Sequence, residues 1–462
     1  MGIPAIILAA GEGRRIWPYN EVRSKAAIPI ANRPAIRLLV QSLRESGIGE
    51  IVVVVGWAKG SVLNALRGID NIRFAVQREW RAGTADAAVT GLQELGGVPD
   101  GPFLVAYGDL LLSPQDVTSL LDEFEKGRPY AAALVAPLGR ERGEDWICAR
   151  VKDGRVEEIE GHTRGGWDRI GGVFVFRPEM KEYLEKNPGI FSKVPVGVMP
   201  PLESDIAMSI QMAIEDGMDV AAVMARGPYS DMDKPWHILE ANYKFLDYIS
   251  KRLERDEIHP SAKIHPSAQI GGKVVMDEGS SIGPNVIVEG NVWIGKGATL
   301  KNGAIVGGDV VIGSGSSVRN YCQVGGHSVI GNRCIVGHGA EIDGILFDGV
   351  YLYHYCEMFG VIGCSTDIGA ATVCGSLRFD DREKIHEIMG RKELPPFGAN
   401  AVYIGDYCRT GVNATIMPGC KIGSYSIVGP GVILYEDLPS RTLVMAKQEL
   451  SRKEWGPSIY GW

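Results

Sequence analysis

A period of six runs through the second half of the 462-residue chain and limits its fold more than any other feature. From Ile258 to Ile342 every sixth residue is apolar: Ile258, Ile264, Ile270, Met276, Ile282, Val288, Ile294, Leu300, Val306, Ile312, Val318, Val324, Ile330, Val336 and Ile342. Two positions before most of them stands a small residue, as at Ala262, Ala268, Ser280, Ala298, Ala304, Ser316, Cys322 and Cys334. Residues two apart in an extended strand share a face, so both columns point inward, and the residues after them, often Gly, make a corner. In an antiparallel sandwich, strand lengths vary with the turns and would not hold one phase through fifteen positions. The spacing predicts a parallel β-helix with three hexads to a coil, each coil burying its apolar column on the next. The pattern resumes at Ile362 and Ile368 and again from Ile404 to Leu434, with interruptions at 343–361 and 375–401.

Glycine marks the same boundary: 31 of the 60 glycines fall within 258–436. Before it, the apolar runs Ala5–Leu8, Ile51–Val55, Phe103–Val105 and Ala131–Val135 read as strands. Stretches of helical periodicity alternate with them at Pro34–Ser46, Ser61–Arg67, Thr84–Glu94 and Pro114–Lys126. Such alternation predicts a largely parallel sheet covered on both faces. A helical segment, His237–Arg255, joins the halves. The expected division is 1–235, a linker at 236–256, the β-helix at 257–436 with its insertions at 343–361 and 375–401, and a tail at 437–462.

Net charge is −8, so no global field favours nucleic acid or an anionic membrane surface. The longest apolar run, Tyr130–Ala136, is too short to cross a bilayer. The first residues carry no basic stretch of a secretory leader, and the eight Cys form no CxxC pair, so a cytoplasmic, reducing location is expected. Cys322, Cys334, Cys408 and Cys420 fall in the small inward column and read as core.

The first strand runs into Leu8-Ala9-Ala10-Gly11-Glu12-Gly13-Arg14-Arg15, with Pro18 and Lys25 beyond. A glycine-rich turn after a strand lets backbone N–H groups approach a phosphate closely. No third glycine completes a dinucleotide fingerprint, and no Gly-Lys-Ser/Thr triplet makes a P-loop. Two arginines and a lysine suit a triphosphate; an ordinary turn with surface cations is the alternative.

The run LAAGEGRRIWP…RSKAAIPI resembles the signature of the sugar-1-phosphate nucleotidyltransferases, the NDP-sugar pyrophosphorylases. Further matches follow in order: Gln77 with Gly83-Thr84-Ala85, Gly108-Asp109, and Asp231 in SDMDKPWHILEAN. With the hexads, IGAATVCGSLRFDD and TGVNATIMPGCKIG, the chain resembles the bifunctional branch, in its archaeal-type variant. That branch pairs uridyl transfer to N-acetylglucosamine-1-phosphate with acetylation of glucosamine-1-phosphate. The resemblance implies an α/β Rossmann-like nucleotidyltransferase domain followed by a hexapeptide-repeat left-handed parallel β-helix.

By the same resemblance, Ala10, Gly11 and Gly13 would lie under the nucleotide phosphates, Arg15 would hold the departing pyrophosphate, and Lys25 the α-phosphate region. Gln77, Gly83, Thr84 and Gly108 would bind the nucleotide, Glu160 and Gly172 the sugar, and Asp109 and Asp231 Mg²⁺. The substrates would be an NTP, UTP or dTTP, and a sugar-1-phosphate. Departures stand at Arg14 for Thr, Ser24 for Pro, Gly161 for Lys in Glu160-Gly161-His162, and Ile170 for Asn. In the β-helix, His354 would be the base for acetyl transfer from acetyl-CoA, one residue off the family register, with Ala370 and Ser376 (Asn in the family) at the acetyl-CoA and acceptor site. The cations of 375–401, Arg378, Arg382, Lys384, Arg391 and Lys392, could reach a sugar or CoA phosphate or belong to a solvated loop. Related hexapeptide acyltransferases place acyl sites between subunits, so a homotrimer is expected. Three functions follow: a nucleotidyltransferase with a second acetyltransferase site, one whose β-helix serves only assembly, or a non-catalytic regulatory relative.

Overall fold

The computed structural model describes residues 2–79, 82–194 and 202–460. Four of its strands match the apolar runs, Ile51–Val55 as expected and the other three longer by a residue or two: Ala5–Ala9, Phe103–Tyr107 and Ala131–Ala136. They belong to a nine-stranded sheet in which 72–76, 51–55, 5–9 and 103–107 lie side by side and parallel. The expectation of a largely parallel sheet holds for this part and for the parallel pair of 131–136 with 220–224. Asp168–Phe176 runs antiparallel to both 103–107 and 131–136, and the hairpin of 147–152 and 155–161 closes the far edge. Helices cover it because their apolar residues recur at helical spacing. Ala35–Glu45 buries Ile36, Leu39, Val40 and Leu43. On the other face, Thr84–Glu94 lies so close that a Cβ at Gly91 would fall 2.3 Å from Ile6.

The second half is the expected parallel β-helix. Val274 pairs with Val292 and Ile287 with Ile305, eighteen residues apart, so three hexads make one coil. Cys322, Cys334, Cys408 and Cys420 are buried free thiols in its core. The interruption at 343–361 is not an insertion. Ile342 pairs with Met358 and Ile335 with Tyr351, so the coil here is sixteen residues long. One corner has lost two residues: the strand Glu341–Leu346 turns through Asp343-Gly344, and Glu357–Ile362 repeats the turn at Phe359-Gly360. The inward column continues as Leu346, Leu352 and Met358, all buried. At 375–401 the insertion is real, and it folds into a hairpin of His386–Ile388 and Arg391–Glu393. The ladder also outruns its expected end, because Leu443–Val444 pairs with Ile427–Val428.

The joining helix spans Pro235–Ser250, and it is buried between the halves rather than exposed as a tether. Its Trp236, Ile238 and Leu246 share one apolar cluster with Tyr19 and Ile28 of the first half and Val329, Phe347, Val361 and Tyr403 of the β-helix. Polar ties cross the same seam: Tyr19 donates to the Val361 carbonyl at 2.8 Å, and Arg23 pairs with the fully buried Asp406 carboxylate. Among the described residues no helix is long and apolar enough to cross a membrane.

Candidate active site

The ends of the parallel strands, with the turns that follow them, open a cavity of about 290 Å³, where an open α/β sheet binds its ligands. Ala10, Gly11, Arg15, Lys25, Gln77, Gly83, Thr84, Asp109 and Asp231 all wall it. Gly13, Gly108, Glu160 and Gly172 are not among the wall residues. For two of these glycines the structure gives a packing reason. Gly13 has φ +62, and a Cβ there would lie 2.3 Å from the Lys25 chain, so the missing side chain clears a path for the lysine. Gly172, at φ +69, has Tyr107 where its Cβ would be, 2.6 Å away.

Asp109 and Asp231 come from separate segments that the fold zips together. Ser230–Asp231 pairs antiparallel with Leu110–Leu111, and the Met232 N–H donates to the Asp109 carbonyl at 3.2 Å. Burial, with Asp109 beside it, pushes the Asp231 carboxyl up to about 6. Lys25 places its Nζ 2.6 Å from Asp109 Oδ2 and 3.4 Å from Asp233. Arg15 donates to Asp233 at 2.9 Å. Although burial alone would raise Asp233, Arg15 and Lys25 hold its carboxyl far below the usual carboxylate range. Asp233 was missed from the sequence, and its signal was there: in Ser-Asp-Met-Asp the two Asp are two apart, on one face of an extended segment. Paired carboxylates beside two cations form a hard-oxygen donor set suited to a divalent cation next to anion-binding groups. A separate set, Glu141, His237 and Glu240, brings three ligand atoms within 4.8 Å. There Arg169 donates to Glu141 at 2.7 Å, so that set is an ion-pair network.

The other end of the cavity is walled by Asp145, Trp146, Ile147, Gly161, His162, Ile170, Phe191 and Val194. The departures Gly161 and Ile170 thus stand in the wall, and Ser24 does too. Arg14 does not: it pairs with Glu12 at 2.5 Å. Asp205 and Glu203 also line the cavity and were not foreseen.

In the β-helix, His354 is exposed in the corner between Leu352 and Cys356, and its ring lies 6.4 Å from that of His338 in the preceding coil. The corner of Ala370 stacks next to it, with the Ala371 N–H donating to the His354 carbonyl at 2.8 Å. Ser376 follows the strand Val373–Cys374 and stands at a different corner, exposed. His354 and Ala370 are therefore neighbours within one chain, whereas Ser376 and the 375–401 loop leave from another edge of the prism. That loop does not close over His354 of its own chain.

A cleft of this build, on a sheet joined to a β-helix, belongs to a nucleotide-transferring enzyme. Residues 5–193 match the MobA-like NTP transferase domain, and 401–435 match the bacterial transferase hexapeptide, six repeats, which makes the coil a left-handed β-helix. The chain is 30% identical to the bifunctional protein GlmU of Methanococcus maripaludis, over 96% of this chain and 98% of that protein. It is 25% identical to the bifunctional sugar-1-phosphate nucleotidylyltransferase/acetyltransferase of Sulfurisphaera tokodaii, over 94% and 98%. To the glucose-1-phosphate thymidylyltransferase of Streptomyces antibioticus it is 23% identical, over 60% of this chain and 74% of that protein. The chain belongs to the bifunctional GlmU family of sugar-1-phosphate nucleotidyltransferases.

Proposed function

We propose that the protein transfers a nucleotidyl group from UTP or dTTP to a sugar-1-phosphate, with Mg²⁺, releasing pyrophosphate and an NDP-sugar. The observation that carries this is the meeting of Asp109, Asp231, Lys25 and Arg15 beside the Ala10-Gly11 turn in one cavity. A sugar-phosphate oxygen attacks the α-phosphorus in line, a P–O bond forms, and the P–O bond to pyrophosphate breaks. No activated protein nucleophile is needed; positioning and charge neutralisation suffice. Asp109 and Asp231 would hold the cation, which when bound neutralises phosphate charge and orients the oxygens. Lys25 lies where it can leave Asp109 for the α-phosphate, and Arg15, half exposed at the rim, suits the departing pyrophosphate. Ala10, Gly11, Gln77, Gly83 and Thr84 form the nucleotide end. The test is pyrophosphate release from each NTP with a panel of sugar-1-phosphates.

The β-helix supports a second activity, acetylation of an amino-sugar-1-phosphate by acetyl-CoA, with His354 as base beside Ala370. Because His354 and Ser376 stand at different corners of one chain, such a site draws on two chains. Leu377 and Phe379, 79% and 99% exposed on the insertion, suit a contact with a second copy. This favours a homotrimer with acetyl sites between subunits. CoA release with glucosamine-1-phosphate and galactosamine-1-phosphate, lost in His354→Ala, is the expected result; no release in the wild type would leave the β-helix as an assembly module.

A further inference from the structure

The insertion in the β-helix does not end in solvent. Its hairpin turns at Met389-Gly390, both at positive φ, the backbone of a tight two-residue connection that matches the strand twist. Glu393 on its second strand meets Lys234 of the first half at 2.7 Å, with both side chains about 95% buried (5% and 3% exposed). The His386 ring lies 5.3 Å from the Trp236 ring, and Ile388 is in the apolar cluster of the seam. The hairpin is thus clamped by packing and a buried ion pair. It presents Arg391 to the cavity wall. The guanidinium donates to Asp145 Oδ1 at 3.0 Å, to the Glu144 carbonyl, and through Nη1 to His162 Nδ1 at 2.7 Å.

These contacts fix the place of the His162 ring. Nδ1 lies 2.7 Å from a donor, Arg391, and 2.6 Å from an acceptor, the Glu144 carbonyl. The same guanidinium reaches the Glu144 carbonyl and Asp145, so Arg391 ties the His162 ring and the 144–145 turn into one network. Arg391, Arg15 and Lys234 all face the ring with positive charge and Asp145 with negative; burial together with Arg391 and Arg15 lowers its pKa to about 4. His162 walls the end of the cavity opposite the Ala10-Gly11 turn and Gln77, where Gly161 brings no cation and Ile170 no amide.

We propose that the β-helix hairpin His386–Glu393 completes the sugar-phosphate end of the nucleotidyltransferase cleft, with Arg391 as a positioning residue that holds His162 and the 144–145 turn in the wall that receives the sugar-1-phosphate. The inference rests on the nucleotidyl-transfer reading above and adds that one half of the chain supplies part of the other half's site. The ligand class is the sugar-1-phosphate, not the NTP, because the wall that Arg391 braces lies across the cavity from the Ala10-Gly11 turn and Gln77.

The test is steady-state pyrophosphate release by the full-length protein, with UTP and dTTP against N-acetylglucosamine-1-phosphate, glucosamine-1-phosphate and glucose-1-phosphate. Wild type is compared with Arg391→Ala, Arg391→Lys and the exposed control Lys392→Ala. Arg391→Ala should raise KM for the sugar-1-phosphate about tenfold, leave KM for the NTP within twofold, and be partly rescued in Arg391→Lys, whose ammonium keeps a donor for Asp145 and the Glu144 carbonyl. Lys392→Ala should match the wild type, since it removes charge from the same hairpin without touching His162. If Arg391→Ala aggregates, the same split in Arg391→Lys, at smaller size, carries the test. An active wild type whose sugar-1-phosphate KM is unmoved by Arg391→Ala, or moved equally by Lys392→Ala, overturns the inference and leaves nucleotidyl transfer standing. A wild type inactive with every pair overturns nucleotidyl transfer, and the inference falls with it.

Discussion

Asp205 caps the helix Ile206–Glu215 by accepting from the Ala207 N–H at 2.8 Å, yet it lines the cavity wall beside Glu203. Burial pushes its carboxyl up to about 6, against the pull of the cap hydrogen bond and with Glu203 adding to the rise. The unfolded value is roughly 3.9, so the native state disfavours the charged form. The sign follows: below about pH 4 the group costs nothing, and as pH rises through 6 it withdraws stability. Asp205→Asn keeps the capping oxygen and removes the charge. Urea unfolding should show the variant more stable than wild type by about 2 kcal/mol at pH 7.5, with the gain vanishing near pH 4. Equal stability at pH 7.5 would contradict that origin. A charge kept at such cost beside Arg15 and Lys25 is what a binding cleft tolerates and a core does not.

Among the elements, the shortened coil makes the sharpest demand on a residue. Gly344 has φ +136, and a Cβ there would lie 2.0 Å from the Gly360 carbonyl oxygen of the next coil. Gly431, in an ordinary corner at φ +65, has no heavy atom within 4 Å. Gly431→Ala should cost about 1–2 kcal/mol, the left-handed backbone penalty alone. Gly344→Ala adds overpacking, typically about 1–3 kcal/mol more. Matching urea midpoints for the two variants would contradict the two-residue corner. The hexads were legible because burial enforces their phase. The loss of phase at 343 was legible too, but its cause was not, since a shortened corner and an insertion both break a period of six. Leu346, Leu352 and Met358 show the difference, being spaced six apart but four residues out of step with Ile342. The cleft residues were legible where a strand end and a glycine turn announce them, as at Gly11 and Asp109. The meeting of His162 with Arg391 was not, although Arg391 stood among the cations that could reach a sugar phosphate, because 229 residues separate the two and only the docking of the β-helix joins them.

At the scale of the molecule, the two halves form one body through the joining helix and the Arg23–Asp406 pair, and the β-helix keeps exposed apolar side chains on its insertion. Sedimentation at micromolar concentration should give three times the chain mass; a stable monomer would remove the trimer and the intersubunit acetyl site together. The wall of the nucleotidyl cleft is drawn from residues between 8 and 233. Its chemistry reduces to one comparison: pyrophosphate release by wild type and Asp109→Asn, with UTP or dTTP, Mg²⁺ and the sugar-1-phosphate panel. Turnover by the wild type and at least a thousandfold loss in Asp109→Asn, with an unchanged circular dichroism spectrum, is the expected result. Turnover that survives the loss of this carboxylate would contradict the placing of catalysis at Asp109 and Asp231.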